Sequence, residues 1–72
     1  MSKMIIGVDL GGTRIRAARL NQHLDILERV ETLTLADTGA EATLNRIKEQ
    51  IRRVMSDDKN SIEGIGISAP GP

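Results

Sequence analysis

The stretch Asp9-Leu10-Gly11-Gly12-Thr13-Arg14 gathers the residue types from which a phosphate site is built. Two consecutive glycines let backbone amides approach an anion without interference from Cβ atoms, and turns of this kind form anion-binding nests. Thr13 adds a hydroxyl. Asp9 closes an apolar run with a carboxylate suited to holding Mg²⁺ directly or through its waters, since magnesium sites usually combine one or two carboxylates with phosphate oxygens. A structural reading competes, because Gly-Gly between two strands also satisfies a two-residue primed hairpin on steric grounds alone. Taken by itself the pair fits such a turn better than a phosphate cradle. It matches neither G-x-G-x-x-G nor G-x-x-x-x-G-K-[ST].

The elements around this stretch decide how it is presented. Met4 to Leu10 is a nearly continuous apolar run of strand length, the pattern of a central strand buried on both faces. Gly11-Gly12 breaks it, and Ile15 to Leu20 reads as a strand returning from a tight hairpin. After the polar turn Asn21 to Asp25, Ile26 to Leu35 resumes with β-formers and completes a three-strand meander. The period then changes. Leu44, Ile47, Ile51, Val54 and Met55 form one stripe of a helix from about Gly39 to Met55. Thr38 and Glu41 fit a capping box at its start. Arg52 and Arg53 suit the negative end of its dipole, and Glu49 is spaced to pair with Arg53. Residues 56–61 form a solvated loop, and Ile62 to Ser68 is a further short strand whose Gly64 and Gly66 suggest close approach of other backbone or a helix on one face. A strand, helix, strand order in one sheet normally makes a right-handed crossover to a parallel strand. The expected fold is therefore α/β, a mixed sheet in the order third, second, first, fourth with one crossover helix. One helix covers one face only, so the sheet reads as truncated, with an open fourth edge.

Composition limits what such a chain does. Its 72 residues include no cysteine and no aromatic side chain, and below about 70 to 80 residues a single core seldom supplies more than roughly 3–5 kcal/mol. Ten Lys plus Arg balance ten Asp plus Glu, so no global field draws the chain to nucleic acid or an anionic membrane. Arg14, Arg16 and Arg19 form a basic strand without aromatic residues to stack bases, which argues against nucleic-acid binding. His23 sits in a polar turn without a second ligand nearby and reads as a surface residue. No signal-peptide core and no membrane-spanning stretch is seen, and a cytoplasmic protein is expected.

The stretch Ile6-Gly7-Val8-Asp9-Leu10-Gly11-Gly12-Thr13-Arg14-Ile15 resembles the first phosphate-binding hairpin of the actin-like ATPase superfamily, and within it the ROK and glucokinase group. Ile65-Gly66-Ile67-Ser68-Ala69-Pro70-Gly71-Pro72 is similar to that group's fourth strand and the Pro-Gly loop after it. The resemblance covers the whole chain. It implies that residues 1–72 are the N-terminal part of the first ribonuclease H-like ATPase domain, in a parent that transfers the γ-phosphoryl group of ATP to a hexose hydroxyl. It also implies that Asp9 serves the Mg²⁺ side of the phosphates and that Gly11, Gly12 and Thr13 contact the β- and γ-phosphates. Leu10 and Arg14 complete the cofactor-binding stretch, Arg14 standing where many ROK kinases have lysine. Pro70 and Gly71 are implied near the sugar.

In this family the aspartate that acts as general base, the sugar-binding Glu-His region and the zinc-binding cysteine cluster all lie beyond Pro72, so no catalytic residue is assigned here and the chain alone is expected to be inactive. Two alternatives differ in class. A ROK transcriptional repressor places a winged helix-turn-helix ahead of the sugar fold, whereas here the first strand begins at Met4. The other is a non-kinase relative of the superfamily, such as a hydantoinase-type or chaperone-type ATPase; the chaperone type usually has one glycine before its threonines, and the Ser68 to Pro72 ending fits the sugar kinases better. A homo-oligomer is expected from the uncovered sheet.

Overall fold

The structure, a computed structural model, describes residues 3–55 and 61–69. Four strands, β1 (Met4–Leu10), β2 (Arg14–Asn21), β3 (Ile26–Leu33) and β4 (Ile62–Ser68), form one sheet in the order β3-β2-β1-β4. β1 pairs antiparallel with β2 and parallel with β4, as the crossover rule requires. The α-helix α1 (Ala40–Val54) follows a 3₁₀ turn at Ala36–Thr38. Both the mixed topology and the open β4 edge agree with expectation. β3 ends two residues short of Leu35, which takes a left-handed conformation with φ 51° and turns the chain away from the sheet.

Alternation along β1 and β2 sorts their residues onto two faces. Ile6, Val8, Ile15 and Ala17 face α1 and join Ile47 and Val54 in the core, with Leu10, Val30, Ile51, Met55 and Ile62 packed around it. The opposite face carries Gly7, Asp9, Arg16 and Ala18, placed side by side by the pairings Gly7 to Ala18 and Asp9 to Arg16. Ile5, on this face, is 37% exposed. β1 is therefore buried on one face rather than two, because its apolar run on the far side meets no covering layer among the described residues. Alternation also divides the three arginines of β2. Arg16 lies on the uncovered face and pairs with Glu31 at 3.2 Å, while Arg19 lies on the helix side and reaches Glu28 at 3.4 Å.

The helix departs from expectation at its ends. No capping box forms: the N-cap is Gly39, with φ 100°, and no side chain caps the first turn. Thr38 is instead drawn into the 3₁₀ turn, where its hydroxyl donates to the Leu35 carbonyl at 2.6 Å. Glu49 pairs with Arg52, three residues on, rather than with Arg53, whose guanidinium turns to Gln50. That contact holds the Arg52 guanidinium above its ordinary pKa, through the hydrogen bond first and the charge of Glu49 second. Of the apolar stripe, Ile47 and Val54 are buried, but Leu44 is half exposed and stands outside the core cluster. Gln50 occupies a buried position on the same face. Gly64 and Gly66 have no neighbour within 4 Å of an added Cβ, so among the described residues neither backbone nor helix packs over that face of β4. Among the described residues, no helix is long and apolar enough to cross a membrane.

Candidate phosphate site

β1 delivers Asp9 to the carboxyl end of the central strand, and three residues, Gly11 to Thr13, carry the chain over to β2. The connection is not a two-residue primed turn. The Gly11 N–H donates to the Arg14 carbonyl at 2.9 Å, and neither Gly11 nor Gly12 adopts the left-handed backbone that would demand glycine. Gly11 has a local steric reason to lack a side chain, since an added Cβ would lie 3.1 Å from the Arg14 carbonyl oxygen. Gly12 has none: its Cβ would meet nothing within 4 Å. The purely structural explanation therefore accounts for one glycine of the pair and leaves the other open to whatever occupies the space above it.

Two backbone donors at Gly12 are correspondingly free. Among the described residues, the amide N–H groups of Gly12 and Thr13 have no partner, so the hairpin offers donors of the kind that bind anions in nests. Asp9, Gly11, Gly12, Thr13, Arg14 and Arg16 line an open hollow of about 350 Å³. Gly12, Thr13 and Arg14 are exposed, and Leu10 is half-buried against the core, where it anchors the hairpin rather than facing the hollow. The Asp9 carboxylate is exposed and makes no ion pair among the described residues, because its cross-strand neighbour Arg16 is held by Glu31 instead. No cluster of three or more metal-ligating side chains forms among the described residues. A divalent cation at Asp9 would thus take most of its ligands from phosphate and water, the usual arrangement for Mg²⁺. The chemistry of these donors fits a magnesium-bound polyphosphate.

A larger hollow of about 460 Å³ lies over the uncovered sheet face, floored by Gly7, Ala18 and Gly66 and sharing Asp9 and Arg16 with the first. Ser68 is the register partner of Asp9, so β4 ends beside the hairpin. Pro70 and Gly71 lie outside the described residues. His23 is exposed in the turn after β2, where its N–H donates to the Asn21 side chain at 2.9 Å. Sequence reading missed Thr34 and Arg46. The Thr34 hydroxyl donates to the Gly11 carbonyl at 2.8 Å, and Arg46 donates to the Thr34 carbonyl at 2.9 Å. A lone threonine at a strand end and a lone arginine within a helix carry no periodic signal by which either would have been found.

Comparison with known proteins bears on the same residues. The sequence pattern of the ROK family matches residues 5–72. A glucokinase of Thermotoga maritima is 37% identical over 67 residues, which is 93% of this chain and 20% of that protein. Among solved structures, a ROK family glucokinase from Streptomyces griseus in complex with glucose and AMPPNP superposes with a TM-score of 0.81 at 29% identity, covering 94% of this chain and 20% of that one. A ROK hexokinase from Thermus thermophilus gives a TM-score of 0.74 at 30% identity, with 96% and 22% covered. The chain spans about one fifth of the length of these relatives. Its four-stranded mixed sheet with one helix is the corresponding part of the actin-like ATPase fold of ROK glucokinases.

Proposed function

The chain belongs to the ROK family, and from that premise we propose that it is the N-terminal phosphate-binding segment of an ATP-dependent sugar kinase that transfers a phosphoryl group to a hexose hydroxyl. The observation that carries this reading is Gly12, a glycine with neither a backbone nor a steric reason of its own, flanked by unpaired amides and facing an open hollow. The relatives named glucokinase and hexokinase, one of them solved with glucose and AMPPNP, support the substrate class.

Phosphoryl transfer asks the protein mainly for positioning and for stabilisation of charge on the phosphate oxygens. In this reading the N–H groups of Gly12 and Thr13 donate to β- and γ-phosphate oxygens, and the Thr13 hydroxyl adds a third donor. Asp9 orients Mg²⁺, directly or through water, and the bound ion supplies neutralisation of the polyphosphate charge. Arg14 offers a forked, permanently charged donor at the rim. Leu10 holds the hairpin to the core. The group that takes the proton from the sugar hydroxyl comes from elsewhere in the kinase, and Pro70 and Gly71 belong to the sugar side of the cleft. On this reading the segment alone turns over nothing, since in-line transfer needs the nucleophile, its base and both walls of the cleft together.

A coupled assay of the full-length protein with ATP, Mg²⁺ and a panel of hexoses tests the proposal. Phosphorylation of at least one hexose is expected, with Asp9→Asn lowering turnover roughly 10- to 100-fold, as loss of an outer-sphere metal partner does, while the thermal melt stays unchanged. Absence of transfer to every sugar would contradict it.

A further inference from the structure

Thr34, at the junction between β3 and the 3₁₀ turn, is 4% exposed, and its N–H, hydroxyl and carbonyl are all hydrogen-bonded. Its N–H donates to the Thr13 carbonyl at 2.8 Å, and its hydroxyl donates to the Gly11 carbonyl at the same distance. Its own carbonyl accepts from Arg46 Nη1 at 2.9 Å, and the same nitrogen donates to the Thr38 hydroxyl at 2.8 Å. The carbonyls on either side of Gly12 are therefore both held from below by one residue, which is in turn fixed to α1. This bears on the amides because a trans peptide is planar, with its C=O and the next residue's N–H pointing in opposite directions. Holding the Gly11 carbonyl toward Thr34 turns the Gly12 N–H away from the protein, toward the open hollow. Without the hydroxyl, no hydrogen bond among the described residues holds the Gly11 carbonyl, and neither glycine flanking that peptide carries a side chain to restrict it.

We propose that Thr34 is the positioning residue of the phosphate hairpin, and that through the Gly11 carbonyl, which shares a peptide plane with the Gly12 N–H, it sets the orientation of the Gly12 amide on which nucleotide affinity depends, while its bond to the Thr13 carbonyl fixes the far end of the loop. The inference rests on the phosphate reading of Gly11 to Thr13 given above. Arg46 extends the tether into the helix, so the hairpin and α1 form one hydrogen-bonded unit.

The test compares Thr34→Val, which keeps shape and volume but removes the hydroxyl, with Thr34→Ser, which restores it, and with Gly12→Val, all in the full-length protein. Thr34→Val is expected to raise the KM for ATP roughly tenfold, the usual consequence of losing one buried hydrogen bond and stranding its acceptor. The KM for the sugar should stay within twofold and Thr34→Ser should recover most of the loss. Gly12→Val should raise the KM for ATP as well. If Gly12→Val raises it and Thr34→Val does not, the positioning role falls and the phosphate reading stands. If neither variant changes it, the phosphate reading itself falls and the inference with it. Equal rises in both KM values without rescue by serine would show a general structural role and overturn the proposal. Should Thr34→Val fail to fold, Arg46→Gln, which releases the Thr34 carbonyl, is read in its place: a selective rise in the KM for ATP supports the tether, and none overturns it.

Discussion

A Cβ on Gly11 would press on the Arg14 carbonyl oxygen at 3.1 Å, whereas one on Gly12 would enter open space, so the two neighbouring glycines should respond oppositely to the same substitution. Gly11→Ala must displace backbone that closes the hairpin and should cost about 1–3 kcal/mol, as overpacking does. Gly12→Ala loses only chain freedom in the unfolded state and should lie within about 0.5 kcal/mol of the parent or gain slightly. Thermal melts of both variants measure this contrast, and equal destabilisation would mean that the hairpin geometry is misassigned. The pair was visible in the sequence as a candidate phosphate turn. The difference between its members was not, because it depends on where the Arg14 carbonyl lies after the hairpin closes.

The elements that carry the hairpin have few core residues to spare. Ile15 is fully buried at the start of β2, opposite Leu10, and is one of the largest buried side chains. Ile15→Ala should cost about 2–5 kcal/mol, comparable with the roughly 3–5 kcal/mol that one small core supplies. Circular dichroism of the 72-residue chain should then show a largely unfolded population at 25 °C, while Leu44→Ala, half exposed on α1, should change stability by less than about 0.5 kcal/mol. Strand order and helix position were legible because each rests on a run of several residues: β1 and β4 as apolar runs, α1 as a 3.6-residue stripe, and their parallel pairing as the only short crossover. What was not legible rests on single residues whose neighbours are distant in sequence. Thr38 matches a capping box locally, yet the left-handed Leu35 starts a 3₁₀ turn that takes its hydroxyl first. Gln50 is buried where the pattern reads polar, and Thr34 reaches back 23 positions to Gly11.

Taken as a whole molecule, the chain is a sheet only partly covered on its helix side, where Ile65 and Ile67 of the edge strand β4 are exposed, with Ile5 exposed on the other face. Exposed apolar surface and an unpaired strand edge both favour association. Light scattering of the 72-residue chain across a dilution series should show a concentration-dependent mass above the monomer, and a monomer at every concentration would show that the uncovered face tolerates water. The central claim concerns the corner where this sheet meets its hairpin, and amide shifts of Gly12 and Thr13 test it most directly. In full-length protein labelled with ¹⁵N at glycine and threonine, Mg·ATP should shift both resonances by way of the β- and γ-phosphates, and Mg·AMP at the same saturation should leave them nearly in place. Saturation with Mg·ATP that leaves Gly12 and Thr13 unmoved would contradict the assignment of this hairpin to phosphate.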